Sequence, residues 1–324
     1  MTLIKTADLP VGLDDAYALI TQPERLRRWQ TVTAYVDLRV GGDYRWTVIP
    51  GHRAAGTFRE IEPGKRVVFG WGWEGEELAP DTSTLTITLE PTGAGTRVTL
   101  MHEGLDAEQE ASHSEGWDHF MERLSTVATT GDAGLDEWAC SAETYDALSA
   151  AEASLAILQP VLRALTVEDQ TKQTPCAEFD CHGLATHLFG SLTTLGELAG
   201  ATVTVPAEGS LEDKVSTMAM EVIRAWLDYP EDMSVGGALP TPVAKAIVAL
   251  ELLLHGWDFA QASGQTLQTS DNLMTYMTEL LMPVIEGGRA NGSFLPAVEP
   301  PADASALDRL AAFAGRTRLD LVSA

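Results

Sequence analysis

Cysteine and basic residues are scarce in this chain of 324 residues. Three cysteines in a chain this long cannot build a disulfide framework, so we expect free thiols and a fold stabilised by packing. Lysine and arginine together number 21, against 47 aspartates and glutamates, which gives a formal net charge of -26. Because such an anionic surface repels phosphate backbones and anionic lipids, the composition argues against binding of nucleic acid or of a membrane surface.

Long hydrophobic runs are also missing. The most apolar window, residues 244–254, is interrupted by Lys245 and Glu251, so it falls short of the roughly 18 apolar residues of a transmembrane helix. The N-terminal sequence MTLIKTADLPVGLDD lacks the charged head, apolar run and cleavage site of a secretory signal, and we therefore expect a cytoplasmic protein. What is present is a globular composition, 45% hydrophobic and 21% charged, over a length typical of two domains.

The residue pattern changes near position 130. Before it, β-branched and aromatic residues alternate in short runs separated by glycine and proline turns, and a long helical pattern closes the segment. We predict an α+β domain over residues 1–128 and a glycine-containing linker over 129–140. The predicted strands are 31–39, 43–48, 56–61, 66–73, 83–89 and 96–102, and the predicted helices are 12–20, 23–29 and 107–127.

Helical spacing dominates the rest of the chain. Leucines between positions 148 and 165 recur at steps of three, four or seven, which places them on one helix face. Further helices are predicted at 180–198, 211–229, 241–262, 272–285 and 305–314. Amphipathic helices joined by short connections favour an antiparallel bundle of four or more helices, so we predict an all-α domain over 141–324.

The second domain contains a set of residues with metal-ligating chemistry. Glu251 and His255 are four residues apart in an apolar helix, which puts both on one face, and a carboxylate there needs a partner. His187 is another polar residue in an apolar helical run. If the two helices face each other, these three form a His₂Glu set, the arrangement of a catalytic zinc site with an open position. The alternatives to a metal site are a surface ion pair between Glu251 and His255 and a core position in which His187 is only hydrogen-bonded. His182 lies about 140° around the helix from His187, so we do not expect it in the same site.

This part of the chain resembles a known family through four motifs. They are TPCAEFD at 174–180, LATHL at 184–188, ELLLHGWD at 251–258 and ASALDRLAAF at 304–313. In order and content they resemble the mycothiol-dependent maleylpyruvate isomerase family, which belongs to the DinB-like superfamily of metal-binding four-helix bundles. The resemblance implies that His187, Glu251 and His255 bind a divalent metal, usually zinc, and that mycothiol is the co-substrate.

The first domain resembles a second family. TQPERLRRW at 21–29, VGGDYRW at 40–46, FREIEP at 58–63 and HEGL at 102–105 are similar to the START-like SRPBCC superfamily. Within it the similarity is closest to the branch named for activators of the heat-shock chaperone ATPase. The resemblance implies a helix-grip fold with a ligand cavity between the sheet and the long helix. The residues that would line this cavity are Trp46, Trp71, Trp73 and Trp117, for which the alternative is an ordinary aromatic core.

Other polar residues are assigned structural roles. No serine or cysteine stands at a spacing that specifies a triad with His102, His113 or His119. Cys176 precedes a predicted helix, whose N-terminus would lower the pKa of its thiol, but a small buried side chain is the preferred interpretation. The role of Asp258, three residues after His255, is left open.

Together these patterns lead to two functional hypotheses. In the first, the protein is a zinc-dependent mycothiol-type transferase or isomerase that acts on a small electrophile, fused to a domain that binds a hydrophobic ligand. In the second, it is a non-enzymatic binding or stress-response protein whose metal site is structural or vestigial; a co-chaperone role is a third, less favoured option. No arginine of this chain matches the arginine that grips the substrate in the isomerases. Whether the protein forms a homodimer is left open.

Overall fold

The computed structural model describes residues 2–235 and 239–319. The chain divides into two compact units, Met1–Asp136 and Glu137–Ala324. The division falls inside the segment 129–140 that the sequence analysis assigns to a linker. The first two residues of that segment are still helical, because the last helix of the first unit extends to Thr130.

The first unit is built around one antiparallel sheet of seven strands, which follow one another in the order β1-β7-β6-β5-β4-β3-β2. The strands are β1 Thr2–Leu9, β2 Thr33–Val36, β3 Asp43–Ile49, β4 His52–Glu62, β5 Arg66–Trp71, β6 Ser83–Thr92 and β7 Gly95–Glu103. The helices are α1 Leu13–Thr21, α2 Pro23–Leu26 and α3 Ala107–Thr130.

The long helix α3 covers one face of this sheet. Its buried side chains, among them Trp117, Phe120 and Leu124, provide the apolar stripe that the sheet requires. Asp106 and Gln109 form a capping box at its N-terminus, and Gly131 ends it in the left-handed conformation, with a φ of 86°. An antiparallel sheet closed by a long C-terminal helix fits the predicted helix-grip fold.

Strand β1 is absent from the sequence prediction. Its inward positions, Leu3, Lys5, Ala7 and Leu9, alternate as in any half-buried strand, but one of them carries a charge. The structure accommodates this charge because Lys5 Nζ lies 2.6 Å from a carboxylate oxygen of Asp118 on α3. Because the sequence shows the charge of Lys5 but not its distant partner, the period-two pattern could not be recognised from the sequence.

Among its described residues, the second unit is helical except for one pair of two-residue strands, β8 Ser234–Val235 and β9 Leu239–Pro240, which the all-α prediction does not include. Its helices are α4 Ala147–Ala164, α5 Cys181–Leu198, α6 Leu211–Leu227, α7 Thr241–Ser263, α8 Asp271–Arg289 and α9 Ala306–Phe313. Helices α4 and α5 each pack against both α6 and α7, and α8 and α9 add to the α7 side. Helices α4 and α7 form the centre of this unit, with 14 of 18 and 17 of 23 residues buried. No helix in the described part of the chain is long and apolar enough to cross a membrane.

Candidate functional sites

The packing of α5 against α7 brings together the three predicted metal ligands. His187 lies on α5, and Glu251 and His255 lie one turn apart on α7. Glu251 Oε2 is 3.7 Å from His187 Nε2 and 3.4 Å from His255 Nε2. One potential ligand atom from each residue lies within 4.8 Å of those of the other two. This is close enough for the three side chains to converge on a single ion after small rotamer adjustments.

The Glu251 carboxylate is the residue that most clearly fits a bound cation. Its side chain is 14% exposed, and its Oε2 atom is buried with no hydrogen-bond partner among the described residues. An oxygen of this kind is costly to bury without a partner, and either a protonated imidazole or a bound cation beside it would offset that cost. Two imidazole nitrogens and one carboxylate oxygen are a donor set typical of zinc.

Electrostatics in the site also favour a cation. Burial raises the pKa of Glu251, but the interaction with His255, supported by Ser191 and His187, brings this pKa down to about 2. Burial lowers the pKa of His255, whereas Asp258 and Glu251 on either side of it raise this pKa to about 9. A site that favours a protonated imidazole between two carboxylates also favours a divalent ion, whose binding would displace that proton.

Asp258 and Arg316 extend the site behind His255. Asp258 is fully buried; its Oδ2 lies 3.0 Å from His255 Nδ1, and Arg316 Nε donates to both of its carboxylate oxygens. The Asp258 carboxylate therefore fixes the imidazole with Nδ1 as the donor and Nε2 toward Glu251, the outer-shell arrangement common at metal-ligating histidines. The sequence contained a signal for Asp258, which lies three residues after His255, but none for Arg316, which is distant along the chain.

The surroundings of His187 are less buried. Its ring stacks on Phe179, with 4.9 Å between ring centroids, and its side chain is 38% exposed. This is the side of the site that solvent reaches. His182 is exposed and is not in the cluster, in agreement with its helical position. The Cys176 thiol is partly buried, and because burial raises its pKa to about 11, the activated thiolate considered from its sequence context is not favoured.

The four predicted ligand-binding tryptophans of the first unit also come together. Trp46, Trp71 and Trp117 are almost completely buried, and Trp73 is partly exposed. Trp71 is central to the group, with ring centroids 6.2 Å from Trp46 and 5.3 Å from both Trp73 and Trp117. Trp46 on β3 and Trp71 at the end of β5 therefore point inward, Trp71 packs against Trp117 of α3, and the rings lie directly on one another as in an aromatic core.

Two histidines accept hydrogen bonds from these tryptophans. Trp71 Nε1 and Trp73 Nε1 both donate to His113 Nε2, over 3.3 and 3.2 Å, while His113 Nδ1 lies 2.8 Å from the carbonyl oxygen of Gln109. Trp117 Nε1 donates to His102 Nδ1 over 3.2 Å. Burial lowers the pKa of His102 to about 3 and also lowers the pKa of His113, so both rings are neutral near pH 7.

A serine also lies beside His102, yet the pair is not a catalytic dyad. Ser83 Oγ is 2.9 Å from His102 Nε2 and donates to the carbonyl oxygen of Trp71. Because His102 Nδ1 accepts from Trp117, its proton is on Nε2, and Nε2 cannot then remove a proton from the serine. His119 pairs with Asp136 at 3.0 Å. These contacts give all three histidines structural partners.

Comparison with known proteins identifies the class of the first unit. Residues 11–129 match the family model described as Activator of Hsp90 ATPase homolog 1-like protein, abbreviated AHSA1. The first unit is therefore an AHSA1-like domain, and the resemblance inferred from its sequence motifs is confirmed. The matched segment is little more than a third of the chain, so this assignment applies to the domain and not to the whole protein.

Three of the relatives illustrate the extent of the similarity, each over less than half of the chain. Rv0738, an uncharacterized protein of Mycobacterium tuberculosis, is 29% identical over 160 residues, which cover 44% of this chain and 83% of that protein. The AHSA1-like protein of Rhizobium etli, solved by NMR, is 35% identical over 45% of this chain and 91% of its own, with a TM-score of 0.37. The Aha1 dimer of Colwellia psychrerythraea is 16% identical over 40% of this chain and 98% of its own, also with a TM-score of 0.37.

Proposed function

We propose that the second unit is a DinB-like bundle that holds zinc and acts as a thiol transferase or isomerase on a small electrophilic substrate, with mycothiol as the thiol. The observation that carries this proposal is the convergence of His187, Glu251 and His255 within 4.8 Å. The resemblance of the surrounding motifs to the mycothiol-dependent isomerases supports the choice of thiol chemistry over hydrolysis.

The three ligands would leave one coordination position open toward solvent, on the side where His187 is partly exposed. A zinc ion bound there would lower the pKa of a thiol at the open position, so that the thiol reacts as thiolate near neutral pH. The chain itself keeps Glu251 ionised, because His255 lowers its pKa. Asp258 accepts from His255 Nδ1 and so orients Nε2 toward the proposed ion, and Arg316 in turn holds Asp258 in place.

In the proposed reaction, the sulfur lone pair of the thiolate forms a carbon–sulfur bond with an electrophilic carbon. In a transferase the leaving group departs with its electron pair, and the thiol proton goes to solvent. In an isomerase the adduct rotates and expels the same thiolate, so that thiol and proton are both regenerated. Arg316 faces Asp258 with its Nε and is itself buried, so we assign it to positioning and not to gripping a substrate.

The test uses the full-length chain loaded with zinc, a low-molecular-weight thiol and the electrophile 1-chloro-2,4-dinitrobenzene, and follows the thioether by absorbance. We expect conjugation with mycothiol that is lost on removal of zinc and in His255→Ala. The exposed His182→Ala, on the same helix as His187, should retain the rate. Equal rates with and without zinc would contradict the enzymatic proposal, and the alternative of a structural metal would then be favoured.

A cobalt-substituted sample separates an open metal site from a closed one. If the site is open, addition of thiol should produce a sulfur-to-cobalt charge-transfer band in the near ultraviolet. If the site is structural, the cobalt spectrum should not change when thiol is added.

For the first unit we propose binding of a small apolar ligand. The inward-facing group of Trp46, Trp71, Trp73 and Trp117 supports this function, since aromatic walls with a few polar groups are typical of ligand sites. A homodimer also stays a prediction, which light scattering of the purified chain would test.

A further inference from the structure

The segment TPCAEFD at 174–180 forms a closed turn directly before α5. At the base of the turn, Cys181 N donates to the carbonyl oxygen of Lys172 over 3.0 Å. Inside it, Phe179 N donates to the carbonyl oxygen of Cys176 over 2.9 Å. None of the three proposed metal ligands belongs to this segment, so its ordered conformation needs a separate explanation.

The residue that this turn fixes most firmly is Phe179. Its carbonyl oxygen lies within hydrogen-bond distance of three donors, which are Thr174 N at 3.1 Å, Thr174 Oγ1 at 2.7 Å and Gln173 Nε2 at 2.9 Å. Thr174 is itself only 2% exposed. Because both backbone polar groups of Phe179 are bonded inside the turn, the direction in which its side chain leaves the backbone is set by the turn.

The side chain of Phe179 lies on the ring of His187. The two ring centroids are 4.9 Å apart and the ring planes differ by 22°, which is a stacked arrangement. Gly183, one turn before His187 on α5, leaves room for this contact, since a Cβ atom at that position would already lie 3.4 Å from Phe179 Cδ1. The phenyl ring therefore follows the surface of the first turns of α5 as far as His187.

The two histidines of the proposed metal site differ in what orients them. His255 Nδ1 lies 3.0 Å from a carboxylate oxygen of Asp258, the outer-shell partner usual at a metal-ligating histidine. Within the described ranges, no protein group forms a hydrogen bond with His187 Nδ1, and Ser191 Oγ lies 3.5 Å from Nε2, the nitrogen on the side of the proposed ion. The orientation of the His187 imidazole therefore depends on packing, in which the stack covers one ring face.

We propose that Phe179 is a positioning residue of the metal site, which holds the His187 imidazole in the orientation that binds the ion. The inference rests on the proposed zinc site and adds a role for a residue outside its ligand set. The His187 side chain is 38% exposed, so without the stack it would lose rotational freedom when the ion binds. The stack removes that freedom beforehand, and such preorganisation increases affinity.

The experiment measures the zinc affinity of the full-length protein by competition with a chromophoric chelator. Phe179→Leu keeps an apolar side chain but removes the flat ring, and we expect the affinity to fall about fivefold, within the range that an aromatic pair contributes. Phe179→Tyr keeps the ring and should bind zinc as the wild type does. The matched control is Phe189→Leu, at another half-buried phenylalanine of α5 that lies about 200° around the helix from His187, and it should leave the affinity unchanged.

A second readout needs no metal. In the ¹³C–¹H spectrum of the zinc-free protein, the ring current of Phe179 should shift the imidazole protons of His187 upfield, and this shift should be lost in Phe179→Leu and kept in Phe179→Tyr. The His187 signals are assigned by their absence from His187→Ala.

Equal zinc affinity in wild type and folded Phe179→Leu would overturn the positioning role and leave the zinc site in place. A fivefold loss in Phe179→Tyr or in Phe189→Leu would overturn it as well, because the effect would then be a general one on α5. If the folded wild-type protein binds no zinc, this inference and the proposed function both fail.

Discussion

At the scale of single residues, the candidate metal site depends on how Asp258 orients His255. The carboxylate is fully buried, accepts from His255 Nδ1 and is held by Arg316. An imidazole fixed in this way presents Nε2 without having to give up rotational freedom when an ion binds. The first prediction concerns this positioning role.

Asp258→Asn should lower zinc affinity by about 10- to 100-fold, the effect typical of changes to an outer-shell partner. Competition with a chromophoric chelator measures the affinity. Asp303→Asn, at an exposed aspartate of the same unit, is the control and should bind zinc as the wild type does. Circular dichroism must accompany both variants, because Arg316 loses its carboxylate partner in the first of them. Unchanged affinity in a folded Asp258→Asn protein would contradict the positioning role.

His102 provides a second prediction at this scale, in the dependence of stability on pH. Burial, with a smaller contribution from His113, lowers the pKa of His102 in the folded chain from 6.5 to about 3. Between these pH values the unfolded chain binds a proton that the folded chain does not bind. The free energy of unfolding therefore falls as the pH is lowered from about 6.5 toward 3, by at most about 1.4 kcal/mol per pH unit.

His102→Gln removes this titration. The stability difference between wild type and variant should be largest near pH 7 and should shrink as the pH is lowered. Urea unfolding followed by tryptophan fluorescence measures it at pH 7 and pH 5. A difference that stays constant over this range would show that His102 is not held neutral by burial.

At the scale of elements, the N-terminus of α3 is stabilised by the capping box of Asp106 and Gln109. Asp106→Ala should lower the free energy of unfolding by about 1 kcal/mol, since two backbone donors lose their acceptor. Asp106→Asn should restore most of this stability, because asparagine caps helices nearly as well. Denaturant titration checks both variants, and equal losses in the two would contradict a capping role.

The elements also show what could be predicted from sequence. Helices with strong periodicity and clear ends were predicted to within a few residues, as for α5, predicted at 180–198 and observed at Cys181–Leu198. Strand β2 was predicted as nine residues but spans only Thr33–Val36, because the β-branched Thr31 and Val32 extend the pattern before it and the alternation of 37–39 extends it beyond the last residue paired with β3. Strand β1 was missed because Lys5 occupies an inward position and its partner Asp118 is far along the chain.

The same distinction applies to the candidate sites. The spacing of Glu251 and His255 was sufficient to predict that they share a face of one helix, and the structure places His187 against them. Arg316 could not be found, because only the tertiary fold brings it to Asp258. The sharing of His113 by two indoles was equally inaccessible, since it depends on which way three side chains on different elements point.

At the scale of the whole molecule, each unit has its own core, and all three proposed metal ligands belong to the second. Zinc should therefore stabilise that unit alone. At a zinc concentration about 100-fold above the dissociation constant the gain is about 2.7 kcal/mol, which corresponds to a rise of very roughly 5–10 °C in a unit of this size.

Differential scanning calorimetry of the full chain should show two unfolding transitions, and zinc should raise the midpoint temperature of only one of them. In Glu251→Gln neither transition should move. A single transition that shifts as a whole, or a shift that persists in the variant, would contradict the assignment of the metal to the second unit.

The measurement that tests the central claim most directly is the metal content of the purified full-length protein, determined by plasma mass spectrometry. The account predicts about one zinc per chain, lost in His187→Ala and in His255→Ala and retained in His182→Ala. Absence of metal from folded wild-type protein, even after incubation with zinc, would contradict it.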